Sequence, residues 1–352
     1  RYSRLGASSR LRTLQYIPDL SAAGFDVTVA PFFDDAYLAN LYAGNRPRAK
    51  TLRYFFARLN QLICGIKPDM IWLEKEAFPW LPWMLEKITL PHNVPIVSDY
   101  DDAIFHQYDL HRSSNVTGLL GSKIDSVMQN SHLVMAGNHY LAERARSAVA
   151  PRIEIIPTVV DIDAYSNLRH PSFDGRTRLG WIGSPSTWDE YCAPMLPIFT
   201  AAASKYNAVV RAVGASNGLI SDTTLEVFSW SEETEIELIQ GMDIGVMPLK
   251  DSPWARGKCG YKLIQYMACG LPVVASPIGV NCDIVEHGVN GFLAETDHEW
   301  HGAIQKLMSD PDLRQRMGAA GRKKVEEQYS LQVWGPRVAR MFRTIIDDRA
   351  SG

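Results

Sequence analysis

Among the 352 residues there is no apolar run both long enough and free enough of charge to cross a bilayer. The best candidate, Leu62 to Trp72, is short and carries Lys67 and Asp69. No secretory signal is read at the start. Cysteine is scarce: Cys64, Cys192, Cys259, Cys269 and Cys282 are odd in number and lack the paired spacing of a zinc site. A reduced, cytoplasmic setting is expected. Excess positive charge is missing too, for the formal charge is -3, which argues against nucleic acid as the main partner. With 46% hydrophobic and 21% charged residues, the composition is that of a globular protein long enough for two domains.

The first half alternates short apolar strands with helical stretches. Strands are expected at Phe25–Ala30, Met70–Leu73, Ile96–Ser98, Leu133–Ala136 and Ile153–Ile156, with helices at Arg10–Ala22, Lys50–Ile63, Leu119–Asn130 and Tyr140–Ser147. Around Asp161–Arg176 the pattern dissolves, which suggests a linker. A second alternation follows, with strands at Thr177–Ile182, Ala208–Ala212, Leu225–Phe228, Ile244–Met247 and Pro272–Ala275. Both halves read as α/β, with parallel sheets covered on both faces and a ligand cleft beyond the strands' carboxyl ends. The expected division is 1–165, 166–330 and a last amphipathic helix within 331–352. The chain opens at Arg1, straight into a Gly-Ala-Ser-Ser turn, where a doubly wound domain should place a strand first; a few further residues upstream are expected.

Chemistry concentrates in Trp254–Ser276: a small-residue loop with Gly257 and Gly260, a helix, a turn at Gly270 and a buried strand. Backbone N–H groups at a helix start favour an anion, and Arg256, Lys258 and Lys262 add positive charge. A diphosphate is the obvious anion, although an ordinary exposed helix start with solvated lysines has the same composition. Lys262 and Gln265, three apart, share a helix face and could touch one ligand.

Gln265-Tyr-Met-Ala-Cys-Gly-Leu-Pro-Val-Val-Ala-Ser276, then Gly279-Val-Asn281 and Glu286-His-Gly-Val-Asn-Gly-Phe-Leu293, resembles the donor-site signature of glycosyltransferase family 4. The resemblance runs over nearly the whole chain, through Gly6-Ala-Ser-Ser-Arg-x-Arg12, Asp99-Tyr-Asp-Asp-Ala-Ile-Phe105, Gly137-Asn138, Pro157-Thr-Val-Val-Asp161 and Gly180-Trp-Ile-Gly-Ser-Pro-Ser186. It implies a GT-B fold, two Rossmann-like domains facing across a cleft, with a C-terminal helix returning to the first. It also implies a retaining, metal-independent enzyme that needs no cofactor beyond a nucleotide-diphosphate sugar as co-substrate.

Two departures stand out. Where the family carries a pair of glutamates, this chain has Gly257 and Gln265. An amide can still meet a ribose, but Gly257 offers no side chain. The usual basic residue near Gly183 is missing as well, so Arg256, Lys258 and Lys262 would supply the charge. The residues and the resemblance together give a candidate donor site of Gly6, Ala7, Ser8, Gly183, Ser184, Trp230, Arg256, Gly257, Cys259, Gly260, Tyr261 and Gln265. Trp230 either stacks on a nucleobase or packs. Asp102, His106, Lys258 and Lys262 are the catalytic candidates; Asp101 or Asp102 could instead cap a helix. Arg10, Arg12, Asn138 and Thr158 are placed near the cleft, with Arg10 and Arg12 on different helix faces so that one reaches inward and the other lies at the surface, unless both are solvated.

Arg46–Arg58 contains no acidic residue and, with Trp80-Leu-Pro-Trp83, forms a basic and aromatic surface. It suits a lipid-linked acceptor at an anionic membrane, or is simply a helix packing Leu52, Tyr54 and Phe55. The function expected is transfer of a hexose or N-acetylhexosamine to a glycan or lipid-linked acceptor, as in polysaccharide biosynthesis, in the cytoplasm or on the membrane's inner face. The rivals are a non-catalytic nucleotide-sugar-binding scaffold and a nucleotide-sugar epimerase.

Overall fold

The computed structural model describes residues 1–42, 48–65, 67–166, 174–216, 218, 219 and 221–351. They form two compact units: Arg1–Thr158 with Gly257–Cys259 and Trp334–Gly352, and Val159–Arg256 with Gly260–Val333.

The first unit holds a parallel sheet in the order β1 (Ile71–Glu74), β2 (Ile96–Tyr100), β3 (Leu133–Ala136) and β4 (Ile153–Ile155). β2 and β3 are buried along their whole length, as strands covered on both faces must be. Helix Arg48–Cys64 packs Tyr54, Phe55, Leu59 and Leu62 on the core around Phe32, Phe33 and Phe78, whereas Leu52 points to solvent. The last helix, Leu331–Ser351, belongs to this unit from Trp334 onward. Phe342 meets the Trp72 ring at 5.0 Å, and Arg343 and Arg349 donate to the carbonyls of Ala23 and Asp69.

Several expected elements change. Phe25–Ala30 makes no ladder, and Val29 is exposed, so the segment lacks the two-sided cover of an interior strand. Arg10–Ala22 breaks into Ala7–Arg12, a short 3-10 turn and Ile17–Ala22, with Pro18 in the first turn of the last piece. Leu119–Asn130 is two helices parted at Gly121–Ser122. Of the expected linker, 167–173 lie outside the described residues, as do 43–47, which include Arg46 and Pro47 of the basic segment; Tyr165, by contrast, is buried in the second unit's core.

The second unit holds β5 (Thr177–Ile182), β6 (Ala208–Val213), β7 (Leu225–Phe228), β8 (Ile244–Met247), β9 (Val273–Ala275) and β10 (Gly291–Leu293). All are parallel, in the order β10-β9-β8-β5-β6-β7. The direction of winding reverses between β5 and β8, the switch point at which such sheets open a crevice. There the ladder ends at Gly180 and Gly245. Tyr266, fully buried on the Tyr261–Ala268 helix, fills the gap: its hydroxyl accepts from the Ile182 N–H at 3.0 Å and donates to the Val246 carbonyl at 3.4 Å. Gly245 leaves room for the ring, because a Cβ there would overlap it.

Tyr266→Phe keeps the ring but strands a buried N–H and a buried carbonyl. It is expected to cost about 1–3 kcal/mol in urea unfolding, with no change of fold.

Candidate active site

In the second unit the carboxyl end of β5 runs into Gly183 and Ser184. Gly183 has no space for a side chain, since a Cβ would stand 2.6 Å from the Trp181 ring and 2.9 Å from Cε of Lys262. The Lys262 stem therefore lies along the strand end, with its ammonium 5.6 Å from the Trp181 ring centroid. Ser184 is exposed and caps the next turn together with Thr187. Gly260, at a φ of +65°, opens the Tyr261–Ala268 helix against Ile284 and Val280, a conformation that suits glycine.

The side chains read as one group from the sequence part ways here. Gln265 is buried and donates to the Tyr165 hydroxyl at 3.3 Å, while Lys262 stays half-exposed at the strand end. Arg256 is exposed and bidentate to Asp251 at 2.8 and 2.7 Å. Trp230 is half-buried against the core, and its ring N–H donates to Glu235 at 2.9 Å.

In the first unit the carboxyl ends of β1 and β2 carry a dense ionic network. Arg12 is buried, contrary to a solvated reading, and pairs with Asp99 at 2.6 Å while donating to the Ile156 carbonyl at 2.7 Å. Arg10 is buried as well, so neither arginine lies at the surface. Gly6 caps the Ala7–Arg12 helix; Ala7 is exposed, and the Ser8 hydroxyl accepts from Lys75 at 3.2 Å. Lys75 also pairs with Asp101 at 2.8 Å. Burial alone would raise the Asp101 carboxyl, but Lys75, Ser8 and Arg12 hold it below its usual value. Lys75 adopts a φ of +68°, a left-handed conformation costly for any residue with a Cβ. Its N–H donates to Asp99 and its carbonyl accepts from Tyr100, which holds the strained turn in place.

Asp102 is half-buried on the following turn. His106 has both ring nitrogens engaged, with Asp109 and with the Tyr140 hydroxyl, each at 2.8 Å. Asn138 caps the His139–Ser147 helix through its oxygen, and its amide donates at 3.0 Å to the carbonyls of both Gly257 and Lys258. Cys259 is buried and donates to the Asp101 carbonyl at 3.0 Å; burial pushes its thiol up, so it stays protonated. Thr158 is buried at this unit's boundary. The glycine at 257 has a steric cause: a Cβ would lie 2.5 Å from Cβ and 2.8 Å from the backbone nitrogen of Ala103.

Sequence reasoning missed Glu74-Lys75-Glu76 and its partners. Glu76 meets Lys123 at 2.6 Å and the Tyr108 hydroxyl at 2.8 Å, and Lys123 also reaches Glu86 at 2.8 Å, all buried. The available signal was a charged triplet directly after an apolar strand. Among the described residues no group of three His, Cys, Asp or Glu side chains gathers as metal ligands would.

Lys75→Met leaves the buried Asp101 carboxylate without its cation and is expected to cost about 3–5 kcal/mol by urea unfolding. Gly257→Ala should cost about 1–3 kcal/mol by overpacking against Ala103. Gly302→Ala, in open space on the Asp297–Ser309 helix, should instead gain about 0.5–1 kcal/mol in the same measurement.

Residues 215–324 match the family model described as glycosyl transferases group 1. Human alpha-1,3/1,6-mannosyltransferase ALG2 is 37% identical over 83 residues, which are 23% of this chain and 20% of that protein. The chain thus spans only about a fifth of that relative's length. Among solved structures, sucrose-phosphate synthase from Thermosynechococcus elongatus superposes with a TM-score of 0.64 at 16% identity, covering 86% of this chain and 80% of that one. Anabaena HepE, in complex with UDP and glucose, does so with a TM-score of 0.57 at 17% identity, covering 74% of each chain. The chain therefore has the GT-B fold of glycosyltransferases, and its residues 215–324 are similar to the glycosyl transferases group 1.

Proposed function

We propose that this protein is a retaining glycosyltransferase that moves a hexose or N-acetylhexosamine from a nucleotide-diphosphate sugar to a glycan or lipid-linked acceptor without a metal ion. The observation that carries this reading is the placement of Lys262 at the carboxyl end of β5, beside Gly183 and at the switch point of the second sheet. Matched residues 215–324 include that lysine and the whole Gly260–Gln265 stretch. The similar Anabaena HepE is bound to UDP and glucose or to UDP-glucose, which supports the donor class.

In this mechanism the charge that matters develops on the departing diphosphate. Lys262, Lys258 and the positive end of the Tyr261–Ala268 helix stabilise it, in the role a metal plays elsewhere. Gly183 and Ser184 offer backbone to the phosphates, while Gln265 is held away from them on the Tyr165 hydroxyl. The first unit receives the acceptor near Asp102, and the leaving phosphate takes the acceptor's proton. Gly6–Ser8, Asn138 and Thr158 shape that side. His106, tied to Asp109 and Tyr140, positions the Phe105–Asp109 turn.

A thermal-shift panel of UDP, GDP, dTDP, CMP and their sugars tests the reading first. One diphosphate should raise the melting temperature, and Lys258→Ala and Lys262→Ala should each lose that rise. Transfer from the matching sugar should then persist in EDTA and give, by proton NMR, a product with the donor's anomeric configuration. No shift with any nucleotide on folded protein would leave a non-catalytic scaffold as the better account.

A further inference from the structure

Two helices of the first unit, in contact with one another, leave large apolar side chains in water. On Arg48–Cys64, Phe55, Leu59 and Leu62 turn to the core while Leu52, Phe56 and Ile63 form an outer stripe. On Trp83–Thr89, Glu86 turns inward to Lys123, and Met84, Leu85 and Ile88 face out. All six outward side chains are between 48% and 69% exposed, and Trp80 is 44% exposed just before the second helix. Scattered exposed leucines are ordinary; a run of this size over adjoining helices marks a contact surface.

Charge narrows the choice of partner. From Ala36 to Pro68 the chain has no acidic residue, and it carries Arg46, Arg48, Lys50, Arg53, Arg58 and Lys67. Lys87 is exposed between Leu85 and Ile88. Arg58 is not available, since its guanidinium donates to the Ala30 carbonyl over the Phe32 ring. Arg53 pairs at 2.9 Å with Asp34, both half-exposed or more, a contact weak enough to exchange for an outside anion. The apolar side chains occupy separate turns of two helices and need no matching cavity. A fluid anionic surface satisfies this pattern, taking apolar tips between its headgroups and cations at the phosphates.

We propose that this face docks the protein on an anionic lipid bilayer, with Leu52, Phe56, Ile63, Met84, Leu85 and Ile88 entering the headgroup boundary. Among the described residues no helix is long and apolar enough to cross a membrane, and the docking proposed is to the bilayer surface. The docking extends the glycosyltransferase reading to the place where a lipid-linked acceptor is met, but it is measured without turnover, so its failure and the failure of that reading are separable.

The test is cosedimentation of the full chain with vesicles of phosphatidylcholine alone, or of two parts phosphatidylcholine to one part phosphatidylglycerol. Binding is expected to the anionic vesicles only and to weaken with added salt. Phe56→Ser, Ile88→Ser and Arg53→Glu should each reduce the partition by roughly ten-fold, with circular dichroism unchanged. The two apolar changes lie on different helices, so one misfolded variant leaves the other to decide. Equal binding to neutral vesicles, no vesicle binding, or full binding by folded variants would overturn the proposal. So would a dimer in light scattering that the same variants disperse while vesicle binding is absent, which would assign the face to a second copy of this chain.

Discussion

The split between β5 and β8 is the constraint on which the second unit depends. Parallel strands that wind in opposite directions must part at their carboxyl ends, and each loses hydrogen-bonding partners there. In this protein one phenol supplies both: Tyr266 accepts from Ile182 and donates to Val246. Burial pushes that phenol well above its usual range, so it remains a neutral donor. Because Tyr266 sits one turn after Lys262, anchoring the ring also fixes the lysine stem beside Gly183. The backbone bonds that close the sheet and the placement of the candidate phosphate-binding cation are thus one piece of geometry.

The first unit solves a different problem. Its β1 and β2 ends gather Glu74, Lys75, Glu76, Asp99 and Asp101, with Arg12, Lys123 and Glu86 brought to them from helices. Burying so much charge is favourable only when nearly every group has a partner. Asp99 shows the balance: burial raises its carboxyl even though Arg12 pulls the other way. The strained Lys75 backbone belongs to the same arrangement, since the left-handed turn aims the ammonium at Asp101 and Ser8. Such a network orders the strand ends from which an α/β fold presents its ligands, and leaves little freedom for the side chains there.

Gly257 ties a departure from the family pattern to packing. The tripeptide Gly257–Cys259 clusters with the first unit, where Asn138 holds its carbonyls and Cys259 lies against Gly137. Glycine at 257 permits that approach, because any side chain would meet Ala103. A carboxylate at this position and this packing are mutually exclusive.

Two α/β halves were legible in the sequence because short apolar strands with helical spacers admit few other architectures, and the donor-site resemblance followed from contiguous residues in Gln265–Leu293. The returning last helix was legible as well, through Trp334, Val338, Phe342 and Ile345 on one stripe. What the sequence alone could not decide was which polar groups meet. Arg12 finds Asp99 across 87 positions, Lys123 finds Glu76 across 47, and Gln265 turns to Tyr165 rather than sharing a ligand face with Lys262. Phe25–Ala30 has strand composition but no partner ladder. Periodicity reports which face of a segment is apolar, a property of neighbours in the chain. Ion pairs, a strained lysine and the steric demand for Gly257 arise only when distant segments are packed together, and only the tertiary structure fixed them.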